Sequence, residues 1–201
     1  MNTYEIIYHK IIEDSSYMAN LDWGQSRPGH PEGTVRAHVE ELEGNLDRLK
    51  PHIPEDQFWK LRVILHTHDS FKAEAERGVP ITHPMSHASL ACQFLSKYTQ
   101  DGDILNMVQY HDEPFALWRQ FKQKGSFNID RLEALVSNIN DWDLFLLFQL
   151  VDGLTDGKDA EPLTWLFEEV SGRVNSSIDV SLAKTIKPNK SLVVTGDNVP
   201  S

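Results

Sequence analysis

The sequence predicts an all-α protein, a single-domain helical bundle. Apolar residues recur at three- and four-residue spacing in segment after segment. Clusters of Pro and Gly separate those segments. No stretch shows the alternation of a strand beyond a short run at Leu192–Val194. A chain of 201 residues is the size of one domain. At that length roughly 70% of the unfolded surface can be buried, enough for a substantial core. The domain is expected over residues 1–183, with 184–201, rich in Lys, Asn, Pro and Gly, as a flexible tail.

The elements follow in order. Tyr4, Ile7, Tyr8, Ile11 and Ile12 form a stripe on a first helix over residues 3–19. Residues 20–33 (NLDWGQSRPGHPEG) read as a loop. Thr34 caps a helix to Leu49, with Val35, Leu42, Leu46 and Leu49 on one face. After Pro51 and Pro54 a third helix runs from Glu55 to Asp69, with Phe58, Leu61 and Leu65 inward. Residues 70–82 look irregular, and Pro84 suits the first turn of a helix reaching Tyr98. Asp103 is expected to cap the next, which Pro114 breaks and Phe115 to Phe121 resume. Asp130 and Asp141 precede two more, the second lined by Leu144, Phe145, Phe148 and Val151. The helical signal fades after Trp165.

Composition excludes several functions. The 19 Lys and Arg stand against 30 Asp and Glu, a formal charge of -11, which argues against a phosphate-tracking nucleic-acid binder. One cysteine, Cys92, excludes an internal disulfide framework and a Cys-rich zinc site, and points to a reducing, cytoplasmic home. Its place between inward helix positions reads as packing rather than nucleophilic chemistry. The N-terminus lacks a signal-peptide pattern, and the longest apolar stretch, Leu144 to Val151, is far short of a membrane span.

The informative residues are polar ones on apolar faces. His38 sits between Val35 and Leu42, and His68 lies three after Leu65 with Asp69 beside it. His87 is three before Leu90, and His83 is one turn earlier on that stripe. His111 follows Val108 by three, and Asp152 follows Phe148 by four. A single inward histidine is ordinarily satisfied by a carbonyl. An inward carboxylate is costly unless paired. Several imidazoles and two carboxylates arriving together are satisfied by a divalent cation, and bundles build metal sites from such inward side chains.

The order of these residues resembles the HD-domain superfamily over residues 28–155. His30-Pro31-Glu32-Gly33 leading to His38 looks like that family's opening motif. Leu65-His66-Thr67-His68-Asp69-Ser70-Phe71-Lys72 looks like its central motif, Val108-Gln109-Tyr110-His111-Asp112 like its later histidine, and Leu150-Val151-Asp152-Gly153 like its terminal Asp. The resemblance implies an α-helical protein that binds one or two divalent metals (manganese, iron, cobalt, nickel or magnesium) and hydrolyses a small phosphate ester, often a nucleotide. It implies His38, His68, Asp69 and Asp152 around a first metal, with Asp69 catalytic, and later histidines on a second metal or the phosphate. Either His83 or His87 fills one family position: the motif favours His83, the helix stripe His87. Two other readings use the same residues: a di-iron oxygenase acting on a small polar substrate, and a non-catalytic metal- or nucleotide-binding module.

The surrounding residues fit an anionic substrate. Two divalent ions would bring four positive charges and two Asp return two, leaving a positive pocket in an acidic protein. Lys72, three residues past Asp69, is placed to hold a phosphate as a point charge, or else is a solvated surface lysine. Phe71 stands where the family prefers smaller residues and is expected to narrow the pocket. Asp112 can orient His111 or a water, with a solvated helix-end carboxylate as the simpler reading. Asp152, Asp156 and Asp159 miss the spacing of a calcium loop. Trp118, Trp142 and Trp165 read as core or rim.

Overall fold

The structure is a computed structural model that describes residues 2–28 and 31–188. It is all-α: eleven α-helices and two 3-10 turns are present among the described residues, and the bridge between Gly24 and Thr34 belongs to no strand. The expected strand at Leu192–Val194 lies outside the described residues, as does His30.

Helix α4 (Glu55–Thr67) is the axis of the bundle. Phe58, Leu61, Val63, Ile64, Leu65, His66 and Thr67 are all buried, so nearly its whole circumference is covered. It packs against α1 (Thr3–Ile12), α3 (Val35–Leu49), α5 (His87–Leu95), α6 (Gly102–Tyr110) and α9 (Trp142–Gly153). The last of these buries eight residues, from Trp142 to Val151, and forms the second central rod. Around them lie α2 (Ser15–Asn20), α7 (Glu113–Lys124), α8 (Ile129–Asn138), α10 (Glu161–Val170) and the short α11 (Ala183–Ile186).

Local chemistry sets the boundaries, and in several places it differs from the sequence expectation. The first helix breaks at Asp14, whose carboxylate accepts from the backbone N–H of Ser16 and Tyr17 and starts α2. Asp101, not Asp103, caps α6, and Asn128, one residue before Ile129, caps α8. Pro114 does not break a helix. It sits in the first turn of α7, where a missing N–H costs nothing, and the break falls at His111 and Asp112. Pro84 likewise stays outside α5, because Ser86 takes the cap position and accepts from Ser89. At the C-terminal end residues 183–186, where the tail is expected to begin, form α11 with Ile186 buried, and residues 189–201 lie outside the described part.

Residues 21–28 and 31–34 form a tied loop. Val35 donates to Trp23 and Arg36 to Leu21 through their backbones, and Gly24 lies against the Gly33–Thr34 backbone. A Cβ at Gly24 would meet the Gly33 carbonyl at 2.3 Å, and both glycines have positive φ, so side chains are excluded there.

Asn45 bolts α3 to α9. Its buried amide donates to the Val151 carbonyl at 3.0 Å and its oxygen accepts from Arg48 at 3.1 Å. Asn45→Ala should therefore lower stability by about 1–3 kcal/mol. The check is a urea unfolding curve: the midpoint falls while its slope stays unchanged.

Candidate metal centre

Helix ends build the site. His38 is in the first turn of α3, and His87 is the first residue of α5. His68 and Asp69 directly follow α4, His111 directly follows α6, and Asp152 lies in the last turn of α9. Their donor atoms form two groups, each with its atoms within 4.8 Å of one another: His38, His68 and Asp152, and Asp69, His87 and His111.

The Asp69 carboxylate joins the groups. Its Oδ2 lies 3.7 Å from His68 Nε2 and 3.9 Å from His38 Nε2. Its Oδ1 lies 3.3 Å from His111 Nε2 and 3.7 Å from His87 Nε2. Asp152 Oδ1 stands 3.1 Å from His38 Nε2 and 3.8 Å from His68 Nε2. His87 and His111 face each other, Nε2 to Nε2, at 3.1 Å.

Hydrogen bonding on the far side of the rings decides what these atoms are. His68 Nδ1 is 3.0 Å from the Leu65 carbonyl, and His111 Nδ1 is 2.8 Å from the Val108 carbonyl. A carbonyl only accepts, so each Nδ1 carries the proton. In the neutral ring Nε2 is then a bare lone pair aimed at carboxylate oxygens. Two acceptors face each other with nothing to donate between them. His68 Nε2 and Asp69 Oδ1 are buried without hydrogen-bond partners. The His68 ring is 1% exposed, and burial pushes its pKa down to about 3, so a proton does not supply the missing positive charge. A divalent cation does, and it takes neutral imidazole and charged carboxylate together. The residues fit a metal.

The carboxylates are held ionised. Burial would raise the Asp69 carboxyl, but the Lys72 ammonium, then His68 and His111, hold it well below the usual carboxylate range. Burial likewise opposes ionisation of Asp152, and Lys158 followed by His38 overcomes it. His111 departs from His68: burial lowers its pKa, but Asp112 and Asp69 outweigh burial and raise it.

The expected site residues are placed as follows. His38, His68, Asp69, His87, His111 and Asp152 come together. His83 does not: it sits in the turn before α5, where its Nδ1 accepts from the Met85 backbone at 3.2 Å. Lys72 is neither free nor in solvent, since its ammonium is hydrogen-bonded to Asp69 Oδ2. Asp112 is half exposed yet reaches His87 Nε2 at 3.2 Å, so it orients a ring rather than standing in solvent. Phe71 does not narrow the pocket. It turns into the core against Phe94, ring centroids 4.8 Å apart. His66, between the two halves of the central motif, points the other way and is satisfied by Tyr17 and Glu43, each at 2.6 Å.

The sequence reading missed three contributors. Lys158 Nζ lies 2.7 Å from Asp152 Oδ1, presented by a turn in which Gly157 has φ +77. Glu32 Oε1 faces His38 Nδ1 at 3.5 Å, on the side of the ring away from Asp152. Arg27 lines the pocket mouth from the tied loop. None lies on a helix stripe; the only signals were the Gly before Lys158 and the Glu six residues before His38.

Above the groups opens a cavity of about 630 Å³. Its floor includes His68, Asp69, His111 and Asp152, and Lys72, Lys158 and Arg27 line it. Comparison of the chain with protein-family models, with curated proteins and with solved structures finds no match.

Two outcomes are expected from metal analysis of purified protein. Asp69→Ala and His87→Ala should each lose bound metal, Asp69→Ala the more because its carboxylate faces both groups, while His83→Ala keeps the full content. In the intact protein, adding metal to one hundred times its Kd should raise stability by about 2.7 kcal/mol, read as a higher Tm that a chelator reverses.

Proposed function

We propose that the protein is a metal-dependent phosphohydrolase of the HD-domain type, acting on a small phosphate ester. The observation that carries this reading is one carboxylate, Asp69, shared between two His/Asp groups on the floor of a cavity flanked by lysines. The order of the ligands along the chain supports it, through the resemblance described above.

A divalent cation bound there supplies Lewis acidity, lowering the pKa of coordinated water towards about 7 and stabilising charge on phosphoryl oxygens. Manganese, iron, cobalt, nickel and magnesium all accept such ligands. The chain's own residues do the rest. Asp69 and Asp152 remain ionised and hold the positive charge at the floor. Lys72 and Lys158 sit on those carboxylates and face the cavity, where each can meet a phosphate oxygen as a point charge. Gln149 donates to the His111 carbonyl at 2.9 Å and locks the α6–α7 corner against α9. In the overall reaction water adds its oxygen to phosphorus, the phosphorus–oxygen ester bond breaks, and the released alkoxide takes a proton to leave as an alcohol.

The test is elemental analysis of protein purified without chelator, paired with a panel of phosphate esters. Metal content with release of inorganic phosphate is the expected result. Bound metal with no turnover on any ester would favour a binding module, and retained iron with oxygen consumption would favour the di-iron oxygenase; either overturns the proposal. Lys72→Ala should raise KM more than it lowers metal content. Loss of metal equal to that of Asp69→Ala would make the lysine a support of the metal site instead.

A further inference from the structure

The cavity lining is of two kinds. Carboxylates, imidazoles and lysines make one. Pro28, Pro114, Phe115, Trp118, Pro162 and Leu163 make the other. Apart from the Trp118 indole N–H, those side chains offer nothing to hydrogen-bond. Gln149 donates to the His111 carbonyl and Asp159 accepts from the Glu161 backbone N–H. A hydroxyl placed against the apolar side chains alone would go unpaired, which costs binding.

Phe115 is the conspicuous member of the apolar lining. It is 47% exposed, one of few large apolar side chains so placed. Its ring lies 5.5 Å from that of Trp118 at an interplanar angle of 30°, so the two form a tilted aromatic pair that lines the cavity. An open aromatic face beside a cationic floor recognises a molecule with a flat ring at one end and an anion at the other.

We infer that the pocket takes a phosphate monoester whose organic part carries a flat aromatic ring, stacked on Phe115 with Trp118 behind it. Lys72 and Lys158 meet the dianionic phosphate from opposite carboxylates of the floor, which disfavours a diester with its single charge. The inference rests on the phosphate-ester reading, and its test is chosen to stand apart from turnover.

Phosphonates bind without being hydrolysed. Calorimetry on the metal-loaded protein should show phenylphosphonate binding about tenfold more tightly than methylphosphonate, the value of one stacked ring. Phe115→Ala should reduce that preference to under threefold, and Phe115→Tyr should restore it. Equal binding of the two ligands, or an unchanged preference in Phe115→Ala, overturns the inference and leaves the hydrolase reading standing. Binding of neither ligand to protein that holds its metal overturns both. Rates with phenyl phosphate and with a nucleoside monophosphate then separate a simple aryl ester from a nucleotide, and faster turnover of glycerol phosphate than of either contradicts the inference.

Discussion

The site depends on a hydrogen bond made away from it. At the ends of α4 and α6 the last carbonyls have run out of intrahelical partners. The imidazoles of His68 and His111 fill that need, each binding the carbonyl three residues back. That bond fixes the tautomer, and the tautomer strips Nε2 of its proton. At His68 a bare nitrogen therefore faces ionised carboxylates, 3.7 and 3.8 Å away. The Lys72 and Lys158 ammoniums hold those carboxylates, and a metal cation would satisfy the nitrogen as well. The same local device occurs twice, in Leu65-His66-Thr67-His68-Asp69 and in Val108-Gln109-Tyr110-His111-Asp112, an apolar residue whose carbonyl holds a histidine that an aspartate follows.

The fold serves this chemistry by bringing helix ends, rather than helix middles, to one place. A ligand in mid-helix is bound to the direction of its stripe. A ligand at an end can leave the stripe by part of a turn while the helix behind it stays packed. Asp69 uses that freedom. It falls just past α4 and is 7% exposed, and there its two oxygens address different groups. The rods that carry the ends are rigid: α4 and α9 are covered almost all round, and Asn45 ties α3 to α9 from within.

The helices and most of the polar cluster were legible because both follow one periodicity. The stripe that buries Val35 and Leu42 buries His38, and the stripe that buries Phe148 carries Asp152 to the floor. Where periodicity stops, legibility stops. Lys158 reaches Asp152 from a turn six residues on, and Arg27 and Glu32 arrive on a loop shaped by two glycines. The family-like motif favoured His83, but Ser86 caps α5 and starts the helix at His87, so the second histidine has the helical position. Phe71 is expected in the pocket because it stands where the resembled family prefers smaller residues. The chain has left the helix by then, successive side chains diverge, and the ring joins Phe94 in the core.

An acidic chain proposed to take an anion looks contradictory, and distance resolves it. The formal charge of -11 is spread over the whole molecule. At physiological ionic strength a surface charge is largely screened beyond about 8 Å, so the surface acids act weakly on a ligand already inside the cavity. Within the cavity water is scarcer and screening is poorer. There the near charges decide: Lys72, Lys158 and Arg27 stand against Asp69, Asp152, Asp112 and Asp159. Each lysine cancels one carboxylate, so any metal at the floor adds its charge to an almost balanced site rather than to a negative one. Long-range repulsion then slows the approach of anions in general, while the short-range field holds the one that fits. The acidic surface and an anion-holding pocket are thus compatible, and a metal at the floor would set the sign of the potential that the ligand meets.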